Sequence, residues 1–399
     1  MDADAPQGRV DCLLNEILRN AIEERASDVH IEPFTTLIRL RFRVDGRLRE
    51  RGTLEPQLLG ALLLRLKILS RIPVDCSALP QDGKWLYEGE NGAIDVRVSI
   101  IPFLHGEGAV LRILTVATAT SDPRQLGFDE ETAAALQRVI RGNSGLLLVT
   151  GPTGCGKSTT IHTLLRGLND GTRKIITVED PVEYAADGIQ SVQVNESQGL
   201  GFADVLRSVL RQTPDVLFVG EIRDEKTAAI AIQAALTGHF VCSTLHCNDA
   251  AGAIVRLRQL GIRPHLIAAT LRGVLSQRLV RKLCPHCRIS RAGGSAAVHN
   301  DGRIFHPNGC PRCKFCGYFG QTVLYEWLPL QTQNLLDEKM LHTHLVPDLV
   351  TCAHRKVFSG ETSPEEIYAV TICDNAAFRF DVGDENGWSM AKSGKDFLL

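Results

Sequence analysis

The chain lacks any uninterrupted apolar run close to the roughly 20 residues that a helix needs to cross a bilayer. Its opening residues, MDADAPQGRV, carry no cationic stretch followed by an apolar one, so no secretory signal is read there. These two absences predict a cytoplasmic protein that meets a membrane only through partners. An excess of one charge is missing as well. The formal net charge is −2, which provides no overall pull toward nucleic acid. Internal repeats and long low-complexity tracts are also absent, which sets aside repeat architectures.

What is present suffices for two or three compact domains: 399 residues, 44% apolar and 23% charged, an ordinary balance for a globular protein. Twelve cysteines are many for a reducing compartment. Cys284, Cys287, Cys310, Cys313 and Cys316 crowd into one stretch, and that clustering favours a metal over disulfides.

Along the chain, Leu13, Leu14, Ile17 and Leu18 share one helical face, and Leu58–Leu69 reads as a second helix. Ile38–Val44 and Ile94–Val98 alternate with the period of half-buried strands. A Thr-, Ala-, Ser-, Asp- and Pro-containing stretch from Val116 to Gly127 is the best linker. Beyond it the pattern changes. Leu146–Val149, Lys174–Val178, Val216–Val219 and Phe240–Cys242 are short, nearly continuous apolar runs, as in a parallel sheet buried on both faces. Ile161, Leu164, Leu165 and Leu168 form an apolar stripe at helix spacing between the first two. Ser363-Pro364-Glu365-Glu366 has the form of a capping box, and residues 374–399 are polar and read as poorly structured.

Gly151-Pro152-Thr153-Gly154-Cys155-Gly156-Lys157-Ser158 fits G-x-x-x-x-G-K-[ST] at every required position. Its glycines let successive backbone N–H groups turn inward around phosphate oxygens. Lys157 can reach the β- and γ-phosphates, and Ser158 offers a hydroxyl to Mg²⁺. Thr159 follows directly. Because an apolar strand precedes the loop and an amphipathic helix follows it, bound phosphate also meets a positive helix end. Cys155 has two readings: a thiol acidified by that helix end, or a small residue the loop tolerates.

The other three apolar runs also end in polar residues: Glu179, Asp180 and Glu183; Glu221 and Arg223; Thr244 and His246. In open parallel sheets ligands bind beyond the carboxyl ends of the strands. Glu221 is placed to orient and deprotonate a water for attack on the γ-phosphate. Glu179 and Asp180 either hold water around Mg²⁺ or cap the turn before Pro181. His246 is a candidate γ-phosphate sensor, while a histidine such as His239 is as readily a bonded core residue.

Cys284-Pro285-His286-Cys287 and Cys310-Pro311-Arg312-Cys313 are two C-x₂-C knuckles. Four thiolates close a tetrahedral Zn²⁺ site with no vacant position, which makes the role structural. Cys316 offers a competing pair with Cys313, and His286 or His306 can substitute in principle, so the ligand register stays open.

Taken together, these motifs resemble those of the type II secretion and type IV pilus assembly ATPases. GPTGCGKSTT matches their phosphate loop, ITVEDPVEY their acidic box, RQTPDVLFVGEIRD their second nucleotide motif and TGHFVCSTLHCNDA their histidine box. The similarity runs from ASDVHIEP and RFRVDGRL to GETSPEEIYAV. It implies an α/β fold with a smaller N-terminal, PAS-like domain (residues 1–115), a RecA-like ATPase domain (129–283), a zinc module (284–325) and a helical region (326–372); composition adds a linker (116–128) and a disordered tail (373–399). It implies ATP, Mg²⁺ and Zn²⁺ as ligands and a homo-hexamer that works on inner-membrane secretion or pilus platform proteins. No direct nucleic-acid partner is expected, and the location implied is cytoplasmic, peripheral at the inner membrane. Arg97 and Arg112 match arginines that the family directs at the γ-phosphate, and Arg207 and Arg211 match further ones that serve a subunit interface. The cysteine module is similar to that of secretion and pilus-extension members, whereas retraction members typically lack it. Secretion is the leading expectation, pilus assembly the alternative, and a nucleic-acid translocase a distant third. Three stretches depart from the family pattern: the start close to ASDVHIEP, GEGAVLRIL, and the tail after Thr371.

Overall fold

The computed structural model describes residues 6–75, 79–89, 92–114, 120–195, 199–292, 303–330, 344–371, 378–383 and 387–392. The chain divides into two compact units, Met1–Thr118 and Ala119–Leu399.

The first unit contains α1 (Pro6–Glu23), β1 (Ala26–Pro33), β2 (Ile38–Val44), β3 (Arg47–Leu54), α2 (Leu58–Leu69), β4 (Gln81–Gly89), β5 (Gly92–Phe103) and β6 (Gly106–Leu114). Its strands form one antiparallel sheet in the order β3-β2-β1-β6-β5-β4. In β2 the alternation is complete: Ile38, Leu40, Phe42 and Val44 are buried, and Arg39, Arg41 and Arg43 take the other face. Val10, Leu14, Ile17, Leu18 and Ala21 of α1, with Leu62, Leu63 and Leu66 of α2, share one core with the apolar face. Burying each such leucine stabilises by about 1.5–3 kcal/mol. On the opposite face the register sets Arg43, Asp28, Arg112, Arg97 and Lys84 side by side in one cross-strand row.

The second unit holds α3 (Glu130–Ile140), β7 (Gly145–Thr150), α4 (Lys157–Leu168), β8 (Ile175–Glu179), β9 (Ile189–Gln193), α5 (Phe202–Leu210), β10 (Val216–Val219), α6 (Glu225–Leu236), β11 (Phe240–Leu245), α7 (Ala250–Gln259), α8 (Pro264–Thr270), β12 (Leu271–Leu283), β13 (Ile289–Ala292), β14 (Arg303–His306) and β15 (Tyr318–Pro329). The main sheet runs β15-β12-β7-β11-β10-β8-β9. It is parallel except for β15, which pairs antiparallel with β12 at one edge. The apolar runs are continuous because both faces are covered. Leu146 and Leu148 pack with α5, α6, α7 and α8, whereas Leu147 and Val149 pack with α3 and α4. Asp129, Asp224 and Asp249 cap α3, α6 and α7, each accepting a backbone N–H three residues on.

Two further helices follow, Leu349–Phe358 and Pro364–Thr371. The Ser363 hydroxyl accepts the Glu366 N–H at 3.3 Å, as its capping pattern predicts. Within the stretch expected to be linker, Pro123–Leu126 forms a 3₁₀ turn capped by Asp122; residues 115–119 lie outside the described ones. In the tail, where composition predicts no regular structure, Phe378–Gly383 and Gly387–Lys392 pair as an antiparallel hairpin. The rest of that tail lies outside the described residues.

Candidate active site

β7 delivers the chain to Gly151, and the loop closes into α4. Gly151, Gly154 and Gly156 hold φ angles of +141°, +76° and +86°, a region in which a side chain is strained. At Gly151 space closes as well: an added Cβ would lie 2.3 Å from the Gln277 carbonyl oxygen and 2.7 Å from Cys155 Sγ. Gly156 is the N-cap of α4, so the loop leads straight into the positive end of a twelve-residue helix. Lys157 Nζ donates to the carbonyls of Gly151 (2.9 Å) and Pro152 (3.0 Å), which arches it over the loop. Burial pulls its pKa below the ordinary lysine range; Glu221 and Glu183 oppose that shift, and Arg278 adds to it. Pro152, Thr153 and Gly154 are exposed, and Ser158 and Thr159 are half-buried in the first turn of α4. Cys155 is buried, and burial pushes its thiol up despite Lys157 and Arg278. The acidified thiol that a helix end alone would favour is not what this loop contains.

Parallel register brings the other polar strand ends to the same edge, in the order β7-β11-β10-β8. Glu221, one residue beyond Gly220 at the end of β10, lies 3.5 Å from His246 Nε2 and 2.5 Å from Arg223 Nη2. Two side chains of β11 staple this strand end: Ser243 Oγ donates to Val219 O (2.7 Å) and Thr244 Oγ1 to Gly220 O (2.6 Å). The Ile222 N–H then donates to Thr244 O at 3.1 Å. Glu179 sits deeper. It is 3% exposed, and its Oε2 lies 3.1 Å from Nε2 of His162 in α4. Glu179 Oε1 and His162 Nδ1 are buried without a hydrogen-bond partner among the described residues. His239 belongs elsewhere, its Nδ1 3.1 Å from Ala234 O at the end of α6. Arg207 and Arg211 lie on and just after α5, bonded to Asp204 and Ser208. Arg97 and Arg112 belong to the first unit, opposite each other on β5 and β6. Arg112 Nε donates to Asp28 Oδ1 at 3.0 Å, and Arg43 Nε lies 3.5 Å from Oδ2 of the same carboxylate.

The cysteine knuckles lie between β12 and β15. The Sγ atoms of Cys284, Cys287, Cys310 and Cys313 are all within 4.8 Å of one another. The 284–310, 287–313 and 310–313 pairs are each 3.8 Å apart. A tetrahedron of sulfurs about 2.3 Å from a central zinc has edges of about 3.8 Å, so the donor set fits that ion. Backbone N–H groups of Gly309, Cys310 and Gly317 point at Cys287 and Cys313 sulfurs at 3.2 Å, an arrangement that favours thiolate. The alternative ligands have other partners. Cys316 Sγ points to the carbonyls of Cys313 (2.9 Å) and Tyr318 (3.0 Å). His286 bonds to Arg312, and His306 Nδ1 lies 2.7 Å from Glu365 Oε1.

A profile of the type II/IV secretion system protein family matches residues 3–369. The chain belongs to that family. The type II secretion system protein E of Aeromonas hydrophila is 42% identical over 387 residues, spanning 93% of this chain and 76% of that protein. The type II secretion system ATPase E of Vibrio cholerae is 43% identical over 375 residues, 90% of this chain and 75% of that one. Among solved structures, the Legionella pneumophila ATPase DotB aligns with a TM-score of 0.67 at 22% identity, covering 90% of this chain and 95% of its own. That likeness gives the fold: a RecA-like α/β core with a further α/β domain.

Sequence reasoning missed Gln277, Arg278 and His162. His162 hides inside an apolar helical stripe. Gln277 and Arg278, with Ser276 before them, interrupt the apolar run VLSQRLV, and three polar residues inside such a run are the one available signal. Arg278 donates to the Asn248 carbonyl, two residues past His246, while Glu326 Oε1 accepts the Ala250 N–H at 2.6 Å. Burial, with Asp249 and Asp348 adding to it and Arg278 opposing, pushes Glu326 up to about 7. The unfolded chain then binds fewer protons than the native one between the ordinary carboxylate range and that value, so stability falls as pH rises through this window. Glu326→Gln keeps an acceptor for Ala250 and removes the titration. At pH 8 it is expected to stabilise the protein by up to about 3 kcal/mol, given about 1.4 kcal/mol per pKa unit. Denaturant melts at pH 5 and 8 check this; an equal effect at both pH values defeats the assignment.

Proposed function

We propose that this chain is the ATPase of a type II secretion system, a homo-hexamer that couples ATP hydrolysis to pseudopilus assembly at the cytoplasmic face of the inner membrane. One observation carries the reading: the Gly151–Ser158 loop, Glu221 and His246 converge on one sheet edge of a chain that belongs to the type II/IV secretion family. The names of its most similar relatives supply the secretion role. Pilus assembly uses the same chemistry and stays the alternative.

In this proposal the loop N–H groups and Lys157 bind the β- and γ-phosphates, with Lys157 exchanging its bonds to Gly151 and Pro152 for phosphate oxygens. Ser158 supplies a hydroxyl to Mg²⁺, which neutralises charge on those oxygens when bound. Glu221 takes the proton of the attacking water, with His246 and Arg223 fixing its carboxylate. Glu179, held against His162 of α4, is the carboxylate that would hold water around Mg²⁺. Cys284, Cys287, Cys310 and Cys313 hold a structural Zn²⁺. Platform proteins of the inner membrane are the expected partners.

Glu221→Gln tests the assignment of the base. The amide keeps the size and a hydrogen-bonding oxygen but cannot accept the proton. Turnover is expected to fall about 10²–10⁴-fold, the usual contribution of general base catalysis. Nucleotide affinity is expected to stay within twofold by fluorescence titration. Turnover close to that of the unaltered chain removes Glu221 from the role.

A further inference from the structure

One strand, β12, reaches both halves of the site, and it does so through two consecutive residues. Gln277 is completely buried. Its Nε2 donates to the Cys155 carbonyl at 2.7 Å, and its Oε1 accepts from Thr160 Oγ1 at 2.9 Å. One side chain thus joins the middle of the phosphate loop to the first turn of α4. Its backbone presses on the same loop, because the Gln277 carbonyl oxygen occupies the space beside Gly151 that a Cβ would need. Arg278, 4% exposed, donates to Gln277 O (3.1 Å) and to Asn248 O. Asn248 also receives the Ser276 hydroxyl at 3.4 Å, and Thr150 at the mouth of the loop bonds both N–H and C=O of Cys247 at 3.0 Å.

Each contact has a physical consequence. The Cys155 carbonyl is an acceptor within the loop, and its bond to Gln277 points that carbonyl away from the side on which an anion would be cradled. The Thr160 hydroxyl, held by Gln277, cannot bond back to its own helix as helical threonines often do. The curvature of the cradle is therefore set by a side chain from a strand more than a hundred residues away in sequence.

We propose that Gln277 is a positioning residue for phosphate binding: by bridging Cys155 O and Thr160 Oγ1 it holds the phosphate loop in the shape that fits a nucleoside diphosphate, and Arg278 fixes the His246 segment to the same strand. This deepens the ATPase reading above and rests on it. The effect falls on phosphate affinity, which the ground and transition states share, so KM moves more than kcat.

The experiment uses the full chain. Binding of ADP and of adenosine is measured by titration for the unaltered protein, Gln277→Met, Gln277→Glu and Thr160→Val, together with melting temperature and steady-state ATPase activity. Gln277→Met leaves a buried carbonyl without its donor and is expected to weaken ADP binding about 10- to 100-fold. Adenosine, which has no phosphate for the loop, is expected to bind as before. Gln277→Glu keeps the acceptor for Thr160 but sets a carboxylate against Cys155 O, so it also weakens ADP. Thr160→Val removes only the second bond, keeps the branched shape, and is expected to weaken ADP several-fold with KM raised more than kcat is lowered. A purely structural role predicts a lower melting temperature with equal losses for ADP and adenosine, and that result overturns the proposal. ADP affinity within twofold of the unaltered protein in any folded Gln277 variant also overturns it. Should Gln277→Met fail to fold, Thr160→Val decides by the same criteria. Failure of the unaltered chain to bind ADP refutes the ATPase reading instead, before any variant is compared.

Discussion

Cys313→Ser is expected to strip zinc from the protein and to unfold the module between β12 and β15. Cys313 is the best-supported ligand, since its sulfur is 3.8 Å from those of both Cys287 and Cys310 and receives two backbone N–H groups. A structural Zn²⁺ contributes about 10–16 kcal/mol to small modules of this kind, comparable with or larger than the whole stability of a typical domain, about 5–15 kcal/mol. Elemental analysis should find about one zinc per unaltered chain, following from one closed four-sulfur site, and a clear deficit in Cys313→Ser. A strong chelator should lower the melting temperature of the unaltered protein and leave that of the variant unchanged. Cys316→Ser is the control, because that thiol bonds carbonyls and is expected to keep full metal content. An unaltered protein that is metal-free and melts identically with or without chelator sinks the zinc assignment.

Arg112→Ala is expected to cost about 10³–10⁵ in kcat, the contribution of arginine fingers to phosphoryl transfer. Within the first unit Arg112 is anchored by one carboxylate. Asp28 is 5% exposed and bonds Arg112 through Nε, which orients the guanidinium while the Nη groups remain at its far end. Arg97 stands directly across the sheet. Lysine lacks the planar fork, and Arg112→Lys is expected to recover only part of the loss. ADP affinity should not change in either variant. Mixing Arg112→Ala with Glu221→Gln adds a second reading: recovered turnover means that the arginine serves a neighbouring subunit's site. A kcat for Arg112→Ala within tenfold of the unaltered protein removes it from the reaction.

Some parts of this site can be read from sequence because one local rule decides them. Val216–Val219 is a strand because four apolar residues between polar ones suit a sheet covered on both faces, and β10 has those bounds. The phosphate loop is legible because its glycines and lysine are needed at fixed spacing. β12 is not legible in this way. Its sequence, LRGVLSQRLVRKL, neither alternates nor runs continuously, because one end is covered on both faces while the other leads out to the cysteine knuckles. Gln277 is buried for its bonds, and those partners come from distant sequence. The zinc register is likewise a matter of three dimensions. Cys310-x₂-Cys313 and Cys313-x₂-Cys316 are equivalent as spacing, and the left-handed backbone at Lys314 and Phe315 turns Cys316 away.

The two hydroxyls of β11 that hold the end of β10 have an effect on timing. Ser243 and Thr244 are part of the folded sheet, so the Glu221 carboxylate and the His246 imidazole reach their separation when the protein folds. A preorganised pair of this kind requires no reorganisation at the moment of reaction. On the proposed reading, nucleotide meets a base whose strand end is already fixed by the folded sheet.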